Sequence, residues 1–155
     1  MILEIRILTR MTAAAAGKKA PSLKGCSGKE SLRIYRAFTQ EIMKSRSEKE
    51  LPALREAMYA RAFTAGKMLG CLPGIRTGEA RNRLARLLYR NIGIRLESRL
   101  PEEMCVKKCA FAGVYSPRMC YVMSGLDEGI LCGIFGGGSL RFDRRLTEGA
   151  PVCHA

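Results

Sequence analysis

A chain of 155 residues is the length of one domain, long enough to bury a core and to carry a short extension. Hydrophobic residues at 47% and charged residues at 26% exclude wholesale disorder. No apolar run approaches the length of a transmembrane helix. Glu4, Arg6 and Arg10 interrupt MILEIRILTRMTAAAAGKK where a secretory signal needs an unbroken apolar stretch, and Glu4 argues against an organelle-targeting leader. The expected location is therefore cytoplasmic. A net charge of +13 attracts nucleic acid, anionic membrane surfaces or acidic small molecules. Arginine concentrates between Arg76 and Arg99, against Glu79 and Glu97. Aromatic content is 6%, there is no Trp, and no RNA-binding signature or finger spacing occurs. The charge thus reads first as a solvated basic surface; a small anionic molecule is the partner expected, and the basic charge leaves nucleic acid open as an alternative. Seven cysteines make an odd number, so a disulfide framework is not expected in a reducing compartment.

In chain order, residues 1–28 read as an extension. ILEIRIL alternates like an edge strand, and TAAAAGKKAPSLKGCSG follows as a linker that contains Cys26. A helix is expected from about Ser31, with Leu32, Tyr35, Phe38, Ile42 and Met43 on one stripe and Ser27 or Ser31 as its cap. After SRSEKE a second helix follows Leu51-Pro52 and closes at Gly70. Its stripe is Leu54, Ala57, Met58, Ala62, Ala65, Met68 and Leu69, and its alanines imply close contact with another helix. A third helix starts near Thr77, carries Leu84, Leu87, Leu88 and Ile92, and stops at Gly93. The period then changes to two: residues 94–111 read as a hairpin, with Ile94, Leu96 and Ser98 on one face. Ser116-Pro117 starts a helix to about residue 135, loosened by Gly125, and the glycines at 136–138 break it. LRFDRRL, TEGA and PVCHA then read as a second hairpin. The fold expected is α+β: one domain over residues 29–155, with a helical half (29–93) and a half (94–155) in which two antiparallel hairpins flank a helix.

The cysteines bear on chemistry in three ways. As zinc ligands, Cys105 and Cys109 form a single pair; on a regular strand they share a face about 13 Å apart, too far for one metal. A bulge would be needed for them to converge, with Cys120, Cys132, Cys153 or His154 completing the set. No metal or cofactor is expected. As nucleophiles, Cys109 follows two lysines, Cys120 sits in the first turn of its helix, and Cys153 adjoins the single His154. As core residues, all of them pack as small hydrophobes. Asp127 lies seven residues after Cys120, on roughly the same helix face, as a carboxylate base. The run GGG matches neither glycine-rich phosphate motif and reads as a loop.

The segments VKKCAF, SPRMC, GLDEGI and FDRRLTEGAPVCHA resemble the L-2-amino-thiazoline-4-carboxylic acid hydrolase-like family. The resemblance spans roughly residues 30–155, with informative motifs from 105 onward. It rests on Cys109, Ala110 and Phe111; Pro117 and Cys120; Asp127; Phe142, Arg144 and Arg145; and Gly149 and Cys153. It implies hydrolytic opening of a C–N bond of a small cyclic amidine carboxylate, giving an N-carbamoyl amino acid. Cys109, Cys120 or Cys153 would be the nucleophile and Asp127 the base. Arg144, Arg145 and Phe111 would hold a small anionic substrate. A related-looking architecture is the vinyl-reductase type domain, which implies a non-enzymatic small-molecule-binding or sensor role, with cysteine-bound metal as an option.

Overall fold

Serine, threonine and proline punctuation sets where four of the five helices begin. In the computed structural model, which describes residues 1–97 and 101–155, the helices are α1 (Ile2–Ala16), α2 (Gly28–Lys44), α3 (Leu51–Gly70), α4 (Gly78–Asn91) and α5 (Pro117–Phe135). Ser27, Thr77 and Ser116 cap α2, α4 and α5, each accepting a hydrogen bond from the backbone N–H three residues on at 3.2 Å. Ser47 and Glu50 form a capping box ahead of α3, and Pro52 and Pro117 occupy first-turn positions. Three short strands, β1 (Ile94–Leu96), β2 (Cys105–Cys109) and β3 (Cys153–His154), form an antiparallel sheet in the order β1-β2-β3. The architecture is α+β, with the N-terminal helices followed by this small sheet, whose β1 packs beside α4.

Two helices define the centre. α5 is buried along almost its whole length, and Gly125, Gly129 and Gly133 form a stripe of four-residue spacing on it. α3 answers with Ala62, Gly66 and Gly70. Contacts rise together along both chains, from Gly125 beside Arg55 to Gly70 beside Ile134, so the helices run parallel with backbones touching. A Cβ on Gly125 would sit 2.6 Å from the Arg55 carbonyl oxygen, and one on Gly70 2.6 Å from that of Ile134. Gly129 and Gly133 similarly face the carbonyls of Tyr59 and Phe63. Gly125 thus does not loosen α5; it lets α3 approach. The same contact rotates the buried face of α3 onto Leu54, Met58, Ala62, Gly66 and Gly70, and leaves Met68 exposed on the opposite side. An ion pair from Arg55 to Glu128, 2.7 Å, ties the two helices at one end.

Residues 2–16 correct the expectation of an edge strand in an extension. ILEIRIL also fits a helical period, and α1 buries Ile5, Thr9, Thr12, Ala13 and Ala16 against α2 and α3. Thr9 donates to the Ile5 carbonyl at 2.6 Å, and Thr12 pairs with the Tyr35 hydroxyl at 3.1 Å, so neither polar group is stranded. In α4 the buried residues are Ala80, Ala85 and Tyr89, which turns the expected Leu87 outward.

The 94–111 hairpin forms, with one irregularity that decides which cysteines meet. Ile94 pairs with Cys109 and Arg95 with Lys108, but Leu96 pairs with Val106, so Lys107 is an extra residue in β2. Lys107 and Lys108 both face out, and the alternation flips between Cys105 and Cys109. The two thiols therefore lie on opposite faces rather than sharing one. Ser98, expected on the inner face, lies outside the described residues. The second hairpin shrinks: β3 pairs with β2, and residues 141–145 add a single bridge, Arg144 with His154. Arg145 leaves the strand path to turn inward, and a 3-10 turn at Leu146–Glu148 follows. The glycines at 136–138 all have positive φ and form the expected loop.

Gly129→Ala places a methyl against the Tyr59 carbonyl and the Phe63 amide, which cannot yield without moving a helix. We expect chemical denaturation to report a loss of about 1–3 kcal/mol, while Gly113→Ala, with open space around it, stays within about 0.5 kcal/mol of the parent.

Candidate functional site

The inner face of α5 carries Cys120, Ser124 and Asp127, within about three turns of the Ser116-Pro117 start. Seven residues put Cys120 and Asp127 on one face, and both line a small internal chamber of about 70 Å³. β2 supplies Cys109 to the same chamber because the Lys107 bulge turns it inward. The segment after β2 supplies Phe111 and Tyr115, which stack at 5.2 Å between ring centres. α2 adds Tyr35, edge-on to Phe111 at 6.0 Å. Buried hydroxyls around the chamber are paired: Thr12 with Tyr35, and Thr39 with Tyr115 at 2.9 Å. Arg36 reaches over Phe111, 5.7 Å to the ring, and donates to the Ala110 carbonyl, fixing the β2–α5 corner.

Arg145 packs against two of the chamber's lining residues, Cys120 and Ser124, from the C-terminal segment. Its guanidinium stacks on Phe142 at 4.2 Å and points one nitrogen at Cys120 Sγ, 3.7 Å, and another at Ser124 Oγ, 3.4 Å. Arg144, its neighbour, is 59% exposed beside Asp143. The two arginines therefore face opposite ways and do not form a joint clamp. Phe142 serves as the surface on which Arg145 rests. Cys153 is buried next to this group and accepts the Leu146 N–H at 3.2 Å. His154 points to the other face of β3, where Asp143, at 2.7 Å, and Glu103, at 3.1 Å, hold its ring and favour the protonated form. The single imidazole is thus no base for Cys153.

Asp127 is the chemical centre of this arrangement. Tyr89, from α4, donates its hydroxyl to Asp127 Oδ1 at 2.9 Å. Burial pushes the Asp127 carboxyl up to about 6, although the Tyr89 hydrogen bond and the Arg145 charge draw it back. Burial beside that carboxylate drives the Tyr89 phenol far above its ordinary range, so it stays a neutral donor. The thiols behave differently from activated nucleophiles. Burial pushes Cys109 up to about 12 and raises Cys153 and Cys132 as well. Cys120 is the thiol at a helix start with a guanidinium aimed at it.

Asp127 also forms the inner wall of a second, larger space. An apolar cleft of about 220 Å³ lies between α1, α3, α4 and α5, lined among others by Ile7, Leu8, Leu69, Leu88 and Ile130. Leu8, Ile92, Leu126 and Asp127 border both cleft and chamber. Sequence reasoning brought Cys109, Cys120 and Asp127 forward and missed the Tyr89 partner and this cleft. The cleft needs α1 as a wall, and α1 reads as a strand from its alternation. Among the described residues, no three His, Cys, Asp or Glu side chains converge in a way that would hold a metal ion. None of the described helices is long and apolar enough to cross a membrane. No protein-family model, curated protein or solved structure matches this chain.

Because the folded-state pKa of Asp127 lies above its ordinary 3.8, the folded protein holds that proton more tightly. Its contribution to stability falls as pH rises from about 4 through about 6. We expect the parent to lose about 2 kcal/mol relative to Asp127→Asn, which keeps an acceptor for Tyr89, between pH 4 and 7 in paired denaturation curves. A thiol reagent at neutral pH should label the exposed Cys71 quickly. Cys109, Cys132 and Cys153 should react only on unfolding, as mass spectrometry of the labelled peptides would show.

Proposed function

We propose that this chain is a small-molecule-binding domain whose ligand occupies the apolar cleft and hydrogen-bonds Asp127. The observation that carries this reading is the cleft itself: four helices border about 220 Å³ of mostly apolar space, with Asp127, whose pKa is raised, at its inner wall and Glu4, already paired with the N-terminal amine and Asn91, on its α1 side. A pocket with apolar walls and a few placed polar groups selects for shape and for a head group that meets them. The volume suits a compact molecule, and the carboxylate suits a head that donates hydrogen bonds, such as an amine or amidine. Arg145 neutralises Asp127 only in part, which leaves the carboxylate available to such a donor. The reading matches the binding or sensor role implied by the vinyl-reductase type likeness.

The convergence of Cys120, Asp127 and Arg145 favours a second reading, hydrolytic ring opening of a small cyclic amidine carboxylate. Asp127 would accept a hydrogen bond from the amidine N–H, and the Cys120 thiol would add to the amidine carbon from the adjoining chamber as the ring C–S bond breaks, its proton passing to the departing ring sulfur. Water would then release an N-carbamoyl amino acid. For a thiazoline ring this product keeps both nitrogens on the former amidine carbon, so the ring bond that breaks is the one to sulfur. The chamber has room for about two waters at roughly 30 Å³ each, so the ring must lie in the cleft. Among the described residues that line the cleft there is no cation, so the substrate carboxylate would need to lie on the Arg145 side.

Titration with small apolar amines and their isosteric hydrocarbons separates these readings. We expect amines to bind more tightly than hydrocarbons, Asp127→Asn to erase that difference, and Ala65→Trp, which fills the cleft, to weaken all ligands at least tenfold. Binding unaffected by Ala65→Trp would place the ligand elsewhere and overturn the first reading. Turnover of 2-amino-thiazoline-4-carboxylate that disappears in Cys120→Ala would establish the second, and an inert parent would end it.

A further inference from the structure

The outer side of α4 carries a different site. Arg83, Arg86 and Arg90 repeat at helical spacing and line a groove of about 560 Å³ whose other wall is β1, with Arg95 and Lys108 opposite. No acidic residue lines the groove among the described residues. Its margins hold two carboxylates: Glu79 pairs with Arg83 at 3.1 Å and Glu97 with Arg95 at 2.8 Å, with Arg83 and Arg95 both more than 70% exposed. Exposed pairs of this kind are worth little and exchange readily for a stronger anion. We infer that this groove binds the sugar-phosphate backbone of double-stranded nucleic acid, without reading its sequence.

Three observations select that occupant. First, the cations form a ladder rather than a cup. Arg83 to Arg90 spans about 10 Å at 1.5 Å per residue, the rise of about three nucleotides of one strand. A compact polyphosphate would want converging backbone N–H groups, but the Gly93 N–H at the groove's end already donates to the Arg90 carbonyl at 3.1 Å. Second, no aromatic side chain among the described residues lines the groove, so they offer single-stranded bases nothing to stack on. Third, the apolar floor is recessed: Ile94 and Leu96 are each 7% exposed, and among the described lining residues only Leu87 projects. A bilayer surface would call for several protruding apolar residues beside the arginines. Arginine suits the phosphate role because its fork donates to two oxygens at once. The chain's excess of positive charge adds a long-range pull toward such a partner.

The test is fluorescence anisotropy with labelled random 20-base-pair DNA and RNA duplexes, titrated from 50 to 300 mM NaCl. Engaging four or five phosphates predicts a log–log salt slope of about −4. The triple variant Arg83→Gln, Arg86→Gln, Arg90→Gln should weaken binding at least tenfold and flatten the slope by about three. Lys29→Gln, Arg33→Gln, Lys44→Gln removes the same charge from exposed positions on α2 and should change affinity less than threefold. Circular dichroism melts confirm that both variants fold, and the single variant Arg86→Glu provides the same reading should the triple one not. The DNA and RNA arms identify which backbone is held. The inference fails if the parent binds neither duplex at 50 mM salt, or if the α2 variant weakens binding as much as the groove variant. It also fails if single strands bind more tightly than duplexes, or if polyglutamate or anionic vesicles displace the duplex at equal charge concentration.

Discussion

The backbone-to-backbone contact of α3 with α5 is the constraint on which the remaining geometry depends. Ordinary helix pairs stand 8–10 Å apart, separated by the side chains between them. Here glycine and alanine at four-residue spacing remove those side chains, and carbonyls of one helix meet the α-carbons of the other. Close approach maximises dispersion contact between rigid surfaces and costs little side-chain entropy, because glycine has no side chain to order. It also spends one whole face of α5 on α3. The opposite face, with Cys120, Ser124 and Asp127, is left to be covered by thinner elements: the strand β2, the turning segment at Arg145 and one edge of α4. Imperfect coverage of that face produces both the chamber and the cleft.

A carboxylate at such a position is costly, and the structure shows how the cost is contained. Asp127 is not given a full salt bridge; it has a phenol donor at 2.9 Å and a guanidinium already engaged with a thiol, a hydroxyl and an aromatic ring. This partial compensation leaves its proton affinity near the physiological range instead of locking it as an anion. A fully paired aspartate would add more stability and have less capacity for chemistry. The cysteines around it follow the reverse logic. They are small, polarisable and weakly hydrogen-bonding, so they fill an awkward corner without demanding partners.

Much of the fold is written locally. Ser27, Thr77 and Ser116 announce their helices because a side-chain oxygen and a free N–H lie within a few residues of each other. α1 escaped that logic: its buried stripe includes Thr9 and Thr12, whose hydroxyls look like surface groups until Ile5 and Tyr35 accept and pair with them. The rotation of α3 was hidden for a related reason. Its buried face continues through Gly66 and Gly70, which carry no hydrophobic signal, whereas the apolar Met68 lies outside. The four-residue glycine spacing in both helices was the available clue. The Cys120 and Asp127 relationship was legible because it depends on one helix alone. The Tyr89 and Arg145 contacts were not, because each joins segments more than twenty residues apart.

The extra residue in β2 has an implication for how this chain tolerates change in length. Most insertions and deletions fall in loops because a loop absorbs them without altering its neighbours. Lys107 sits inside a strand, yet removing it would leave Val106 in place and turn Cys109 outward, taking a thiol from the chamber without altering any residue that lines it. Comparing this chain with a shorter version by residue identity alone would show every chamber residue retained. What would be lost is their arrangement, so at this point in the chain the count of residues carries information that their identities do not.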